Sequence, residues 1–137
     1  MSAADFLDSN VLVYTDDHDS PKKQKTALAL VEAAHARGNT FVSTQVLEEY
    51  YSAATRKLGV PVPIARGKVA LFARLQVARI EVDDILGAID LQVLHQLSFW
   101  DGLLVQSAIR AGCHRLLSED LQDGRRFNGL IVQNPFK

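Results

Sequence analysis

The chain has 137 residues, 47% apolar and 23% charged, with a net charge of −1; that is enough to bury a core as one domain, residues 1–137, without staples. Its single cysteine, Cys113, excludes an internal disulfide framework and a thiolate-rich zinc site, and is expected as a small buried hydrophobe. No apolar run approaches the roughly 18 residues of a membrane span, the stretch Met1 to Asp5 lacks the features of a leader, and a cytoplasmic location without membrane contact is the expectation.

Short β-type runs alternate with amphipathic stretches, which argues for a mostly parallel α/β sheet of about five strands. The apolar run from Phe6 reads as a first strand ending near Asp8, followed by a turn or short helix. Ser20-Pro21 opens a helix that Gly38 closes. Thr40 to Ser43 reads as a strand. A helix follows from Thr44 to Lys57, stopped by Gly59 and the Pro61/Pro63 pair. Ile64 to Val77 reads as another helix and Arg79 to Val82 as an edge strand. Asp83 is placed to cap a helix running to Gln96, and Ser98 one running to Ala111 before Gly112. His114 to Ser118 and Leu130 to Gln133 are the last strands expected.

Most of the 16 acids are solvated helix faces, but a few sit where solvation does not explain them. Asp8 interrupts an apolar run at the carboxyl end of a strand, the edge where open α/β sheets bind ligands. It equally suits a turn cap assisted by Asn10. Asp101 shares a helix face with Leu104, Val105 and Ala108, and a lone carboxylate on an apolar stripe is costly without a partner. Ser98 to Asp101 also fits a capping box. Asp120 follows the strand residues Leu116-Leu117 by a short step, as a site acid or a plain turn acid. Glu48 and Glu49 flank the apolar stripe of their helix at similar angles, so periodicity does not choose between them. If the first strand lies beside the one before Asp120, the winding reverses there and opens a crevice. Acids gathered in such a crevice would need a cation, and an all-oxygen set suits Mg²⁺ or Mn²⁺ and phosphoryl chemistry.

Four ordered segments, Phe6-Leu7-Asp8-Ser9-Asn10, Thr44-Gln45-Val46-Leu47-Glu48-Glu49-Tyr50, Ser98-Phe99-Trp100-Asp101 and Ser118-Glu119-Asp120, together resemble the PIN-domain family, in particular the VapC-type toxin ribonucleases. The resemblance implies a three-layer α/β/α sandwich around a parallel sheet. It also implies endoribonucleolytic cleavage of RNA supported by Mg²⁺ or Mn²⁺. By position in the family pattern, the metal-holding and catalytic acids would be Asp8, Glu49 rather than Glu48, Asp101 and Asp120, with Asn10 and Ser118 in support. Asp123 is a weaker candidate for a further metal contact. RNA grip would fall to Arg56-Lys57, Arg66-Lys68-Arg74 or Arg125-Arg126, and Phe99 and Trp100 are placed to stack on a base or to pack. The expected partners are a homodimer mate and a small antitoxin protein, the latter lying near the Ile64–Val77 helix and its Leu71, Phe72 and Leu75. A net charge of −1 departs from what an RNA-binding relative would suggest. A haloacid-dehalogenase-like phosphatase is disfavoured because Asn10 stands where a second Asp is required. A non-catalytic RNA- or protein-binding module, or a housekeeping RNA-processing nuclease, is the remaining alternative.

Overall fold

The computed structural model describes residues 3–137; Met1 and Ser2, on which the expectation of no leader partly rests, lie outside it. Among the described residues six strands form one sheet in the order β3-β2-β1-β4-β6-β5. The chain runs β1 (Asp5–Leu7), α1 (Ser9–Tyr14), α2 (Pro21–Arg37), β2 (Thr40–Ser43), α3 (Thr44–Arg56) and α4 (Val62–Phe72). It continues with β3 (Gln76–Ala78), α5 (Val82–His95), α6 (Phe99–Arg110), β4 (Arg115–Leu117), β5 (Arg126–Phe127) and β6 (Leu130–Gln133). All neighbouring strands pair parallel except β5 with β6. The five parallel strands match the expected number; the sixth is a two-residue antiparallel edge that no sequence pattern announces.

The architecture follows from burial. β1 has no exposed residue, as a central parallel strand requires. Phe6, Leu7, Leu116 and Leu117 of β1 and β4 meet Val11, Val46, Tyr50 and Val105 from α1, α3 and α6 in one core. Cys113 is buried, as expected. Asp5 is also buried, because the Arg115 guanidinium grips both its carboxylate oxygens at 2.8 and 2.7 Å. Helices α1 to α4 pack against one another as one group and α5 against α6 as a second, giving the α/β/α arrangement.

Three boundaries move. Helix α4 starts at Val62 and stops at Phe72, not Val77. Its apolar period runs on through Leu75 and Val77, but Gln76–Ala78 commit their backbone to Phe41–Ser43 of β2, which places the edge strand ahead of the expected Arg79–Val82. The α5 cap is Glu81 rather than Asp83. Glu81 and Asp84 form a reciprocal capping box, and Asp84 is fully buried against Arg110 at 2.6 Å.

Two further features shape the carboxyl edge of the sheet. The chain steps from β1 to β2 in one direction and reaches β4 in the other, so β1 and β4 flank a switch point. Their register sets Leu7 opposite Leu117, and the Asp8 amide donates to the Leu117 carbonyl at 3.0 Å. Gly102 lets α6 approach α5 closely, since a Cβ there would lie 2.7 Å from the Ala88 carbonyl oxygen.

Candidate metal and nuclease site

Asp8 sits where β1 gives way to α1 and does two jobs. It is the N-cap of α1, accepting from the Ser9 amide at 2.6 Å. Its other oxygen accepts from the Ser118 hydroxyl at 2.7 Å and the Asn10 amide at 3.1 Å. The residue is 5% exposed, and its pKa is pushed up to about 6. Burial is the main cause; the bonds from Ser118 and Ser9 work against it, and the charges of Asp120 and Glu49 add to it.

Asn10 and Ser118 tie this acid to the loop after β4. The Asn10 side-chain oxygen accepts from the Glu119 amide at 3.3 Å, and Ser118 Oγ accepts from the Asp120 amide at 3.1 Å. The loop is clasped a second time through Glu119. Its carboxylate takes hydrogen bonds of 2.6 Å from both the Tyr14 hydroxyl and Lys23 Nζ. Burial pushes the Glu119 carboxyl up, but these two donors outweigh it and hold its pKa below the usual glutamate range. Asp120 is left exposed at the tip.

Helix α3 is capped by Ser43, whose hydroxyl accepts from the Val46 amide at 3.2 Å. Of the two adjacent acids on this helix, Glu49 is half-buried towards the other acids. Burial raises the Glu49 pKa first, bonds from Gln45 and Ser9 lower it, and the charges of Asp101 and Asp120 raise it again. Gln45 links the helices: its amide donates to the Trp100 carbonyl at 3.1 Å and lies 3.5 Å from a Glu49 oxygen. Asp101 stands in the first turn of α6, capped by Ser98 at 3.1 Å.

The four expected acids are therefore electrostatic neighbours at one sheet edge. Asp8 feels Asp120 and Glu49, and Glu49 feels Asp101 and Asp120. Their side chains do not form a ready coordination sphere, since among the described residues no three of His, Cys, Asp or Glu are spaced to hold an ion. The donor chemistry nevertheless fits a hard divalent ion. All four are carboxylates, and among the described residues those of Asp101 and Asp120 accept no hydrogen bond and pair with no cation. The Gln45 side-chain oxygen, beside Glu49, is buried without a partner.

Other candidates separate cleanly. Asp123 accepts from the Asn134 amide at 2.8 Å and lies 3.6 Å from Lys137 Nζ, so it closes the C-terminal turn. Lys68 is committed to Asp16 at 3.0 Å and Thr15 at 2.9 Å, and Arg125 to the His95 carbonyl at 2.8 Å. Phe72 and Leu75 belong to the core, whereas Leu71 is 42% exposed. Trp100 is 62% exposed with its ring edge-on to Phe99. Gln45, Tyr14, Lys23 and Glu119 were not expected here. Of these only Gln45 carried a signal, its spacing of four from Glu49 on one helix face.

Comparison with known proteins bears on the fold and the family. No curated protein matches the sequence. Among solved structures the fold is shared with VapC20 of Mycobacterium tuberculosis, described as a sarcin-ricin loop cleaving toxin. That match has TM-score 0.70 and 19% identity over 85% of this chain and 92% of that one. VapBC2 of Rickettsia felis, solved bound to a DNA fragment from its promoter, superposes with TM-score 0.69 and 18% identity over 96% and 98% of the two chains. A toxin–antitoxin complex from Klebsiella pneumoniae matches with TM-score 0.69 and 17% identity over 98% of each. Residues 6–125 match the PIN domain model, and with that span covering the whole acid edge, the chain belongs to the PIN-domain family.

Proposed function

We propose that this protein is a metal-dependent endoribonuclease, the toxin of a toxin–antitoxin pair acting in the cytoplasm. The observation that carries the proposal is Asp8: a carboxylate almost wholly buried, its pKa raised to about 6, with two further acids adding to the strain. Folding brings acids together at this cost where a divalent cation repays it. Asp8, Glu49, Asp101 and Asp120 would hold Mg²⁺ or Mn²⁺, which when bound lowers the pKa of water and offsets charge on a phosphodiester. Asn10 and Ser118 fix the Asp8 carboxylate and the β4 loop together. Asp101 and Asp120 retain lone pairs for the ion and for a water aligned with the phosphorus. Gln45 keeps Glu49 in register with α6.

For the partners, α5 supports a homodimer: Val82, Leu86, Ile89 and Val93 form one stripe at helical spacing, each more than 40% exposed. A small antitoxin is supported by the toxin–antitoxin complexes that share this fold. An open groove of about 540 Å³ between α2 and α4, with Leu28, His35 and Leu71 in its lining, suits a short amphipathic segment. The decisive test is cleavage of a labelled RNA pool with Mg²⁺ or Mn²⁺. Asp101→Asn and Glu49→Gln should each reduce the rate by at least about a hundredfold, the upper end of what losing a mere supporting contact costs. Undiminished cleavage, or none by the unaltered protein with either ion, would refute the nuclease assignment.

A further inference from the structure

We infer that the depression running from Glu49 along the exposed face of α3 is a subsite for a phosphate of the RNA strand, built by Ser52, Arg56 and Lys57 with Ser9 at its inner end. It deepens the ribonuclease reading and rests on it. The depression is open and holds about 540 Å³, lined by Ser9, Glu49, Ser52, Ala53, Arg56 and Lys57.

The electrostatics demand such a feature. A net charge of −1 and an edge of four carboxylates repel a polyanion, so an RNA strand must be gripped by cations close to that edge. Several basic side chains are committed elsewhere. Lys23 serves Glu119, Lys68 serves Asp16 and Arg125 caps the His95 carbonyl. Among the described residues Arg56 and Lys57 have neither a carboxylate nor a carbonyl partner. They share their depression with an acid of the site.

The geometry is that of one helix face. Glu49, Ser52, Ala53 and Arg56 recur at spacings of three, four and seven, which sets Arg56 about 10 Å along the helix from Glu49. That reach suits a phosphate flanking the one held at the acids. Ala53, between them, keeps the floor low, and the Ser52 hydroxyl is a donor to a phosphate oxygen. Arg56 also lies in the last turn of α3, where a cation complements the helix dipole. That role alone predicts an effect on stability and none on the salt dependence of RNA binding.

The test is binding of a fluorescent single-stranded RNA across about 0.1 to 1 M salt, in an Asp8→Asn background that prevents cleavage. Removing two phosphate contacts with Arg56→Gln and Lys57→Gln should flatten the log–log salt slope by about 1.4. The affinity loss is then about 25-fold at 0.1 M and vanishes near 1 M. Arg56→Lys with Lys57→Arg should restore the slope. Lys22→Gln with Lys25→Gln, the same charge change on the far side of α2, should leave it unaltered. An unchanged slope in the Arg56/Lys57 pair, or an equal flattening in the Lys22/Lys25 pair, overturns the subsite. Cleavage by the unaltered protein is the separate arm: its absence overturns the ribonuclease reading, whereas cleavage with unchanged KM in the Arg56/Lys57 variant overturns the subsite alone.

Discussion

Replacing Asp8 by Asn should make the metal-free protein more stable at neutral pH while removing its activity. The folded-state pKa of about 6 stands above the ordinary 3.8, so between these values the native state holds more protons than the unfolded chain. Stability from this group is therefore fully present below pH 4 and is lost as the pH rises through 6. The difference of about 2 pH units corresponds to roughly 3 kcal/mol. Near pH 4 the protonated acid and the amide are neutral and nearly isosteric, and differ by about 1 kcal/mol in the donors from Ser118 and Asn10. The Asn variant should thus gain roughly 2 kcal/mol at pH 7.5, a rise in Tm of about 6–10 °C for a chain of this size. Thermal melts with a chelator from pH 4 to 8 read this directly: the variant melts slightly lower near pH 4, the two curves cross as the pH rises towards 6, and the variant keeps a constant lead above it. Added Mn²⁺ should then raise the Tm of the unaltered protein more than that of the variant, because binding to the native state alone adds stability. Parallel curves, or a variant that melts lower at pH 7.5, would refute the idea that this carboxylate is held under strain for an ion.

Three further outcomes are expected from the packing. Gly102→Ala should cost about 1–3 kcal/mol in chemical denaturation, because a Cβ would meet the Ala88 carbonyl oxygen at 2.7 Å; retention of full stability would mean α5 and α6 slide apart freely. Glu119→Gln should lower activity and metal affinity by about 10-fold or more with little change in Tm, as the clasp from Tyr14 and Lys23 fixes the loop carrying Asp120; an unaltered metal titration would remove it from that role. Leu86→Glu combined with Val93→Glu should halve the mass seen by light scattering without unfolding the chain, since these side chains are 55% and 76% exposed; a mass that stays put would move the dimer interface elsewhere.

How much the residues alone reveal depends on how far the deciding interaction reaches. Strands β2 and β6 have the expected limits because each is a short apolar run bounded by a glycine or a cap. Helix α6 is legible from Ser98, whose hydroxyl acts within three residues. The edge strand β3 escapes a local reading because its partner, β2, lies more than thirty residues away, and nothing nearby distinguishes Leu75 to Val77 from another helical turn. Strand β5 is two residues held by β6 across the Asn128 turn, with φ of 54°, too short for any period to show. Among the acids, position and local capping are visible, but their gathering depends on the Leu7–Leu117 register and on Gln45 reaching from α3 to Trp100. Those are tertiary facts. Choosing Glu49 over Glu48 needs the family pattern, because a helix turning 100° per residue presents both beside the same stripe.

Trp100 is the chain's single tryptophan. Its ring is largely open to solvent and its backbone carbonyl is held by Gln45, one residue before Asp101. The protein consequently carries an intrinsic fluorophore at the mouth of its acid edge, with no second indole to blur the emission. A nucleobase stacking there would quench it, a protein segment covering it would shift its spectrum to the blue, and neither observation would require labelling the chain.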